Sequence, residues 1–209
     1  MEKNLHDFLS QLEDRLPHDL VRVKRAVTPA QFEVTALLQH LENMKRFPAI
    51  LFEKPLNLKD EPSQFPLLSN VFATRRRCAL SLGMSPEDAG LALSLEYAGR
   101  EEKLISPVTV STKEAPIKEV VKRGEDADLY EFPIVRHHAM DPAPYIDMTP
   151  VMKDPEQGFY NVAFLRNMVK GPRRLGIHMS PRHNWQIHRN NEEKNRPTPV
   201  AIVVGHHPA

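Results

Sequence analysis

The chain of 209 residues is long enough for one large domain or two small ones, and 41% apolar residues supply a core. Lys plus Arg at 28 against Asp plus Glu at 27 leaves a net charge of +1, which argues against the basic field of a nucleic-acid-binding or membrane-surface protein. A single cysteine, Cys78, excludes an intramolecular disulfide and a cysteine-based metal cluster, and 19 prolines against 8 glycines favour fixed turns and short elements.

Leu5, Phe8, Leu9, Leu12 and Leu16 fall at i, i+3, i+4 and i+7, so the chain opens on an amphipathic helix. "LVRVKRAV" alternates and reads as a strand. Thr28 followed by Pro29 reads as an N-cap and first helical residue, with Phe32, Leu37, Leu38 and Leu41 on the helix that follows. "AILFE" from Ala49 is a short buried strand. "FATRRRCALSLGM" from Phe72 reads as a helix stopping at Gly83, and Ser85-Pro86-Glu87-Asp88 starts another. Helices alternating with strands make an α/β pattern.

From Ile105 the character changes. "LISPVTVST", "LYEFPIVRHH", "APYIDMTPVM", "FYNVAFLRNM", "RLGIHMS" and "PVAIVVG" read as short strands between Pro, Gly and Asp turns. "APIKEVVKRGEDADL" reads as one short helix, opened by Ala115-Pro116 and closed by Gly124. The boundary lies near residues 105–125, giving an α/β domain over 1–122 and a β-rich region over 123–209, an α/β (α+β) chain. The last predicted strand runs into "GHHPA" with nothing after it to cover a sheet edge, which points to completion by further polypeptide. No apolar run reaches the ~18 residues that cross a bilayer. The acidic N-terminus also lacks a signal-peptide core. The expectation is a cytoplasmic protein with no membrane span and no nucleic-acid partner.

Asn161 and Arg166 sit in a run otherwise suited to burial. On a regular strand their Cα atoms stand about 17 Å apart, and the odd separation puts them on opposite faces. They either face water at the strand ends or, with a bulge or strong twist, serve two ends of an extended ligand. His178, His183, His188, His206 and His207 cluster late, and imidazole is a common metal ligand, but their spacing matches no metal signature. GxGxxG, Walker, GxSxG, CxxC and HExxH sequences are all absent. "TRRRC" is either a phosphate patch or a salt-bridged helix face.

Several ordered pieces resemble the UbiD family of prenylated-FMN-dependent decarboxylases. "LLSNVFATRRRCALSLGM" is similar to the family's N-terminal segment, with its Asn, Arg-rich helix start and A-x-x-L-G. "APIKEVVKRGEDADLYEFPI" resembles P-x-x-E-V-V-x-x-G-x-D-x-D-L-x-x-x-P. "DPAPYID" takes the place of D-G-G-x-Y-I-T, without its paired glycines and final Thr. "NVAFLRNMV" resembles N-x-x-x-x-R-x-x-V, and "RLGIHMSPRH" the cofactor-binding strand and His that follow. The resemblance spans about residues 65–185.

The resemblance implies an N-terminal α/β domain followed by part of a split β-barrel of flavin-reductase-like type. A C-terminal oligomerising domain of such proteins has no counterpart here. It implies prenylated FMN, a divalent metal (Mn2+ or Mg2+) and K+ as cofactors. Asn161 and His183 match metal ligands at the cofactor phosphate. Phe164, Leu165 and Arg166 match the segment under the flavin, with Arg166 the catalytic clamp on the substrate carboxylate. His178, Met179, Ser180 and Arg182 fall on the next cofactor-contacting stretch. The implied reaction is non-oxidative, reversible decarboxylation of an aromatic or α,β-unsaturated carboxylic acid. The family's third metal carboxylate and its catalytic acids would lie beyond position 209. Implied partners are the small-molecule acid, further copies or a second chain carrying the C-terminal half, and a UbiX-type flavin prenyltransferase as cofactor supplier. Two other readings are a non-catalytic flavin-binding or assembly subunit, and a flavin-reductase-like oxidoreductase using plain FMN.

Overall fold

The structure, a computed structural model, describes residues 3–103 and 105–209. The first half is built around β2 (Ala49–Pro55), which pairs in parallel with β1 (Leu20–Val27) and antiparallel with β3 (Leu67–Ser69). Helix α2 (Glu33–Asn43) is the crossover between the parallel strands. β2 is buried on both faces, which explains its continuous apolar run. Its alternating side chains feed two cores. Ala49 packs with Phe8, Leu12 and Leu16, contributed by α1 (Leu5–Arg15) and its end, and with Leu80 of α3 (Arg75–Ser81). Ile50 and Phe52 pack with Val27 and with Val34 of α2.

Local sequence signals set most boundaries. Asn4 caps α1 by accepting from the Asp7 N–H, and Thr74 caps α3 by accepting from the Arg77 N–H. Gly83, at φ 72°, closes α3, with the Met84 N–H returning to the Ala79 carbonyl. Two starts differ from the expectation. Thr28-Pro29 opens only a 3-10 turn, Pro29–Gln31, because Phe32 turns left-handed at φ 67° and α2 begins after it. Thr28 does not cap; its own N–H donates to the Glu33 carboxylate. Ser85-Pro86 likewise opens a 3-10 turn, Pro86–Asp88, and non-helical Gly90 delays α4 to Leu91–Glu101.

The second half departs further. Leu104, the start of "LISPVTVST", lies outside the described residues, and the remainder of that stretch forms no strand. "APIKEVVKRGEDADL" gives two 3-10 turns, Pro116–Lys118 and Gly124–Asp126, in place of a helix. Ile117 and Val120 are 83% and 78% exposed, so no buried apolar face stabilises a helix there. "LYEFPIVRHH" gives a 3-10 turn, Leu129–Glu131, and one isolated bridge from Val135 to Tyr145.

Strand β4 (Tyr145–Lys153) organises the second sheet. It pairs antiparallel with β5 (Tyr160–Val162), β6 (Leu165–Gly171) and β8 (Val200–Val203), and β6 pairs with β7 (Arg174–Ile177). No closed barrel forms among the described residues. Helix α5 (His183–Glu192) packs on β4 and β5. Segment 128–136 ties the halves together. Lys59 pairs with Asp128 at 2.8 Å, the Leu58 N–H donates to the Tyr130 carbonyl, and the Phe65 and Phe132 rings stack at 4.8 Å.

The three consecutive arginines are all committed to structure. Arg75 donates to the Ala89 and Gly90 carbonyls and to Ser94, and Arg76 pairs with Glu87. Arg77 is fully buried and donates to the Phe47, Asn70 and Val71 carbonyls and to Asp19 at 2.9 Å. Burial pulls its pKa below the usual value, and Asp19 offsets part of that shift. This resolves "TRRRC" as a salt-bridged structural face. Replacing Arg77 by Met takes the buried donor away from three carbonyls and a carboxylate. Denaturant unfolding of Arg77→Met is expected to show a loss of about 3 kcal/mol or more; a loss below about 1 kcal/mol contradicts the role given to this guanidinium.

Candidate functional site

The site is built on one strand path. β5 and β6 keep the same offset to β4: Val151 faces Val162 and Met148 faces Leu165. The ladder lapses at Ala163–Phe164, opposite Pro150, which has no N–H to donate. The Ala163 N–H still donates to the Pro150 carbonyl at 3.3 Å. There is no slip in register between β5 and β6, so the alternation of faces runs from Asn161 to Val169. Asn161 faces α5, and fully buried Asn167 and buried Val169 fall on the same side of the alternation. Arg166 is on the opposite, exposed face, its guanidinium 5.9 Å from the Tyr145 ring centroid. Neither a bulge nor a twist brings the two together.

A chain of amides fixes Asn161. Its Nδ2 donates to Asn184 Oδ1 at 2.7 Å, and Asn184 Nδ2 donates to the Pro150 carbonyl at 3.2 Å. Both nitrogen ends are thereby used, and the Asn161 oxygen is the end left for a cation or a donor. Asn184 is buried on the first turn of α5 and had no role in the sequence reading.

A cavity of about 340 Å³ opens beside this chain, between the Ala163–Leu165 stretch and the approach to α5. Phe164, Leu165, Met179, Ser180, Arg182 and His183 line it, together with Ala163, Asn184 and Trp185, which sequence reasoning missed. Asn161 reaches it through Asn184. Arg166 and His178 are not in its wall; the His178 N–H donates to the Arg166 carbonyl, extending the β6–β7 ladder.

The start of α5 is electropositive. Arg182 is its N-cap residue, His183 is its first residue, and its first turn holds no acid. The Arg182 charge at the N-cap opposes the helix dipole, an arrangement that becomes favourable when an anion binds. His183 also takes a left-handed φ of 33°, a conformation that costs of order 1–3 kcal/mol for a non-glycine residue. For a metal, the donors present are an amide oxygen and an imidazole, a set that suits Mn2+ or Mg2+ in part. No group of three His, Cys, Asp or Glu able to hold an ion occurs among the described residues. The missing sequence signal for α5 has a physical origin. Its buried face is Asn184, Ile187 and Asn191, so helical spacing is present but hydrophobic periodicity is not.

Residues 11–94 match the 3-octaprenyl-4-hydroxybenzoate carboxy-lyase N-terminal domain family, and residues 108–209 match the Rift-related domain family of the same carboxy-lyase. Among solved structures, the chain is similar to an evolved dimeric form of the UbiD-class enzyme HmfF from Pelotomaculum thermopropionicum in complex with prFMN. The identity is 31% over 99% of this chain and 45% of that one, with a TM-score of 0.85. It is similar to Sedimentibacter hydroxybenzoicus vanillic acid decarboxylase in closed form, at 29% identity over 100% of this chain and 44% of that one, TM-score 0.86. It also resembles the 3,4-dihydroxybenzoic acid decarboxylase from Enterobacter cloacae, at 25% identity over 100% and 43%, TM-score 0.85. The chain spans less than half the length of each. No helix among the described residues is long and apolar enough to cross a membrane.

The amide chain has a direct test. Truncating Asn184 to Ala removes one of the two donors to the Pro150 carbonyl and leaves the Asn161 amide without its partner, and equilibrium unfolding is expected to show a loss of about 1–3 kcal/mol. An unchanged midpoint contradicts a structural role for this bridge.

Proposed function

This chain belongs to the UbiD family, and on that premise we propose that it is the N-terminal part, or one subunit, of a carboxy-lyase. The reaction is non-oxidative, reversible decarboxylation of an aromatic or α,β-unsaturated carboxylic acid. The observation that carries this reading is the cationic start of α5, set over a cavity walled by Phe164 and Leu165. Such a cavity suits a flat aromatic ring bearing an anionic tail.

Arg182, His183 and the free N–H groups of the first turn of α5 receive the phosphate of prenylated FMN. The Asn161 oxygen and the His183 imidazole hold Mn2+ or Mg2+, which neutralises phosphate charge; a carboxylate from outside this chain completes the set, and K+ is a further cation of the site. Phe164 and Leu165 bear on the ring, and His178, Met179 and Ser180 border it from the end of β7. When bound, prenylated FMN supplies the electron sink for the departure of CO2. Arg166, free of any ion pair among the described residues, clamps the substrate carboxylate. Proton return falls to an acid outside this chain.

The domain division is 1–122 and 123–209, the second being part of a split barrel completed by further polypeptide. The holoprotein is an oligomer of this chain or a complex with one carrying the C-terminal half. A UbiX-type prenyltransferase supplies the cofactor, and the setting is cytoplasmic. A second reading, a non-catalytic flavin-binding or assembly subunit, draws on one observation: the described cavity wall contains no Asp or Glu.

The two readings separate in one assay. Holoprotein assembled with its C-terminal half is expected to release CO2 from aromatic acids, and Arg166→Ala to cut kcat/KM about 100-fold or more. Full activity in Arg166→Ala contradicts the clamp, and a flavin-loaded assembly without turnover favours the assembly subunit.

A further inference from the structure

Arg166 has an anionic neighbour that the reaction does not call for. Asp147 on β4 stands directly opposite Arg166 in the register. Side chains so placed have Cβ atoms about 5 Å apart, within easy reach of an ion pair. Yet the pair is open. The Asp147 carboxylate turns to His137, with Oδ2 3.5 Å from Nε2, while the Arg166 guanidinium leans over Tyr145. Arg166 therefore has two alternative resting places, the Tyr145 ring and the Asp147 carboxylate. Only the first leaves it free for a ligand.

The loop carrying His137 is itself braced. Arg136 donates to the Ala139 and Asp141 carbonyls and lies 5.1 Å from the Phe32 ring centroid. Asp141 accepts from the His138 N–H, which holds its carboxyl below the usual range. Both neighbouring charges are thus committed within the loop. Among the described residues, His137 is the basic side chain within ion-pair distance of Asp147.

We infer that His137 is a positioning residue: by holding Asp147, it keeps Arg166 available to a carboxylate ligand. This rests on the reading of Arg166 as the carboxylate clamp. Without His137, Asp147 closes on Arg166 and competes with the acid. The competition has the strength of one cross-strand ion pair, at most about 1 kcal/mol, or about two- to fivefold in affinity.

The experiment is a double-mutant cycle in the assembled holoprotein, with vanillate and 3,4-dihydroxybenzoate as probes. His137→Phe is expected to raise KM for the acid about two- to fivefold with kcat little changed. Adding Asp147→Asn returns KM to the starting value, because the competing charge is gone. His137→Gln, whose side-chain amide can donate to Asp147, stays near the starting value. An unchanged KM in His137→Phe, or a double variant as weak as the single, overturns the inference. If the holoprotein turns over no acid at all, the decarboxylase reading fails, and the inference is then decided by a crystal structure of the His137→Phe chain. An Arg166–Asp147 contact within 4 Å supports it, and Arg166 still lying over Tyr145 overturns it.

Discussion

One antiparallel offset governs the site. β4 pairs with β5 and β6 at the same register, although Pro150 interrupts the ladder between them. A slip of one residue would exchange the faces of every side chain from Leu165 onward. It would expose Asn167 and turn Arg166 to the buried side of the strand. The buried side chains Met152, Asn167 and Val169 hold the register in place. Separation of Asn161 from Arg166 is thus a consequence of packing, and each group works from its own side of the sheet.

Pro150 has two further effects. Its carbonyl accepts from both the Ala163 N–H and Asn184 Nδ2. The residue that breaks the ladder therefore anchors the amide chain to Asn161. The same break frees the Ala163–Phe164 backbone to form a cavity wall rather than a strand interior. Helix α5 completes the arrangement with polar residues on its inner face, which couples the helix start to the strand through hydrogen bonds. A greasier helix would pack better and orient Asn161 less.

Legibility in the sequence followed the source of each element's stability. Helix α1, strands β1 and β2 and helix α3 have strong periodicity, an Asn or Thr cap, or a glycine stop, and all were readable. Strand β3, of three residues, is fixed only by its partner β2. Helix α5 escaped notice because its buried face is built of amides. The apolar residues of 105–121 mimicked a strand and a helix, but Ile105, Val108, Ile117 and Val120 are exposed. For the site, six of the anticipated residues line one cavity, and parity alone placed Asn161 and Arg166 on opposite faces. What could not be read was the support: the Asn184 bridge links positions 23 residues apart, and Asp147 meets Arg166 only through strand pairing.

The central claim is that this strand serves two ends of one ligand system from its two faces. A crystal structure of the assembled holoprotein with cofactor, Mn2+ and an aromatic acid tests it most directly. The account predicts phosphate and metal density at Asn161, Arg182 and His183, and the acid's carboxylate on the Arg166 guanidinium. Phosphate bound at Arg166, or a metal bound away from Asn161, would contradict it.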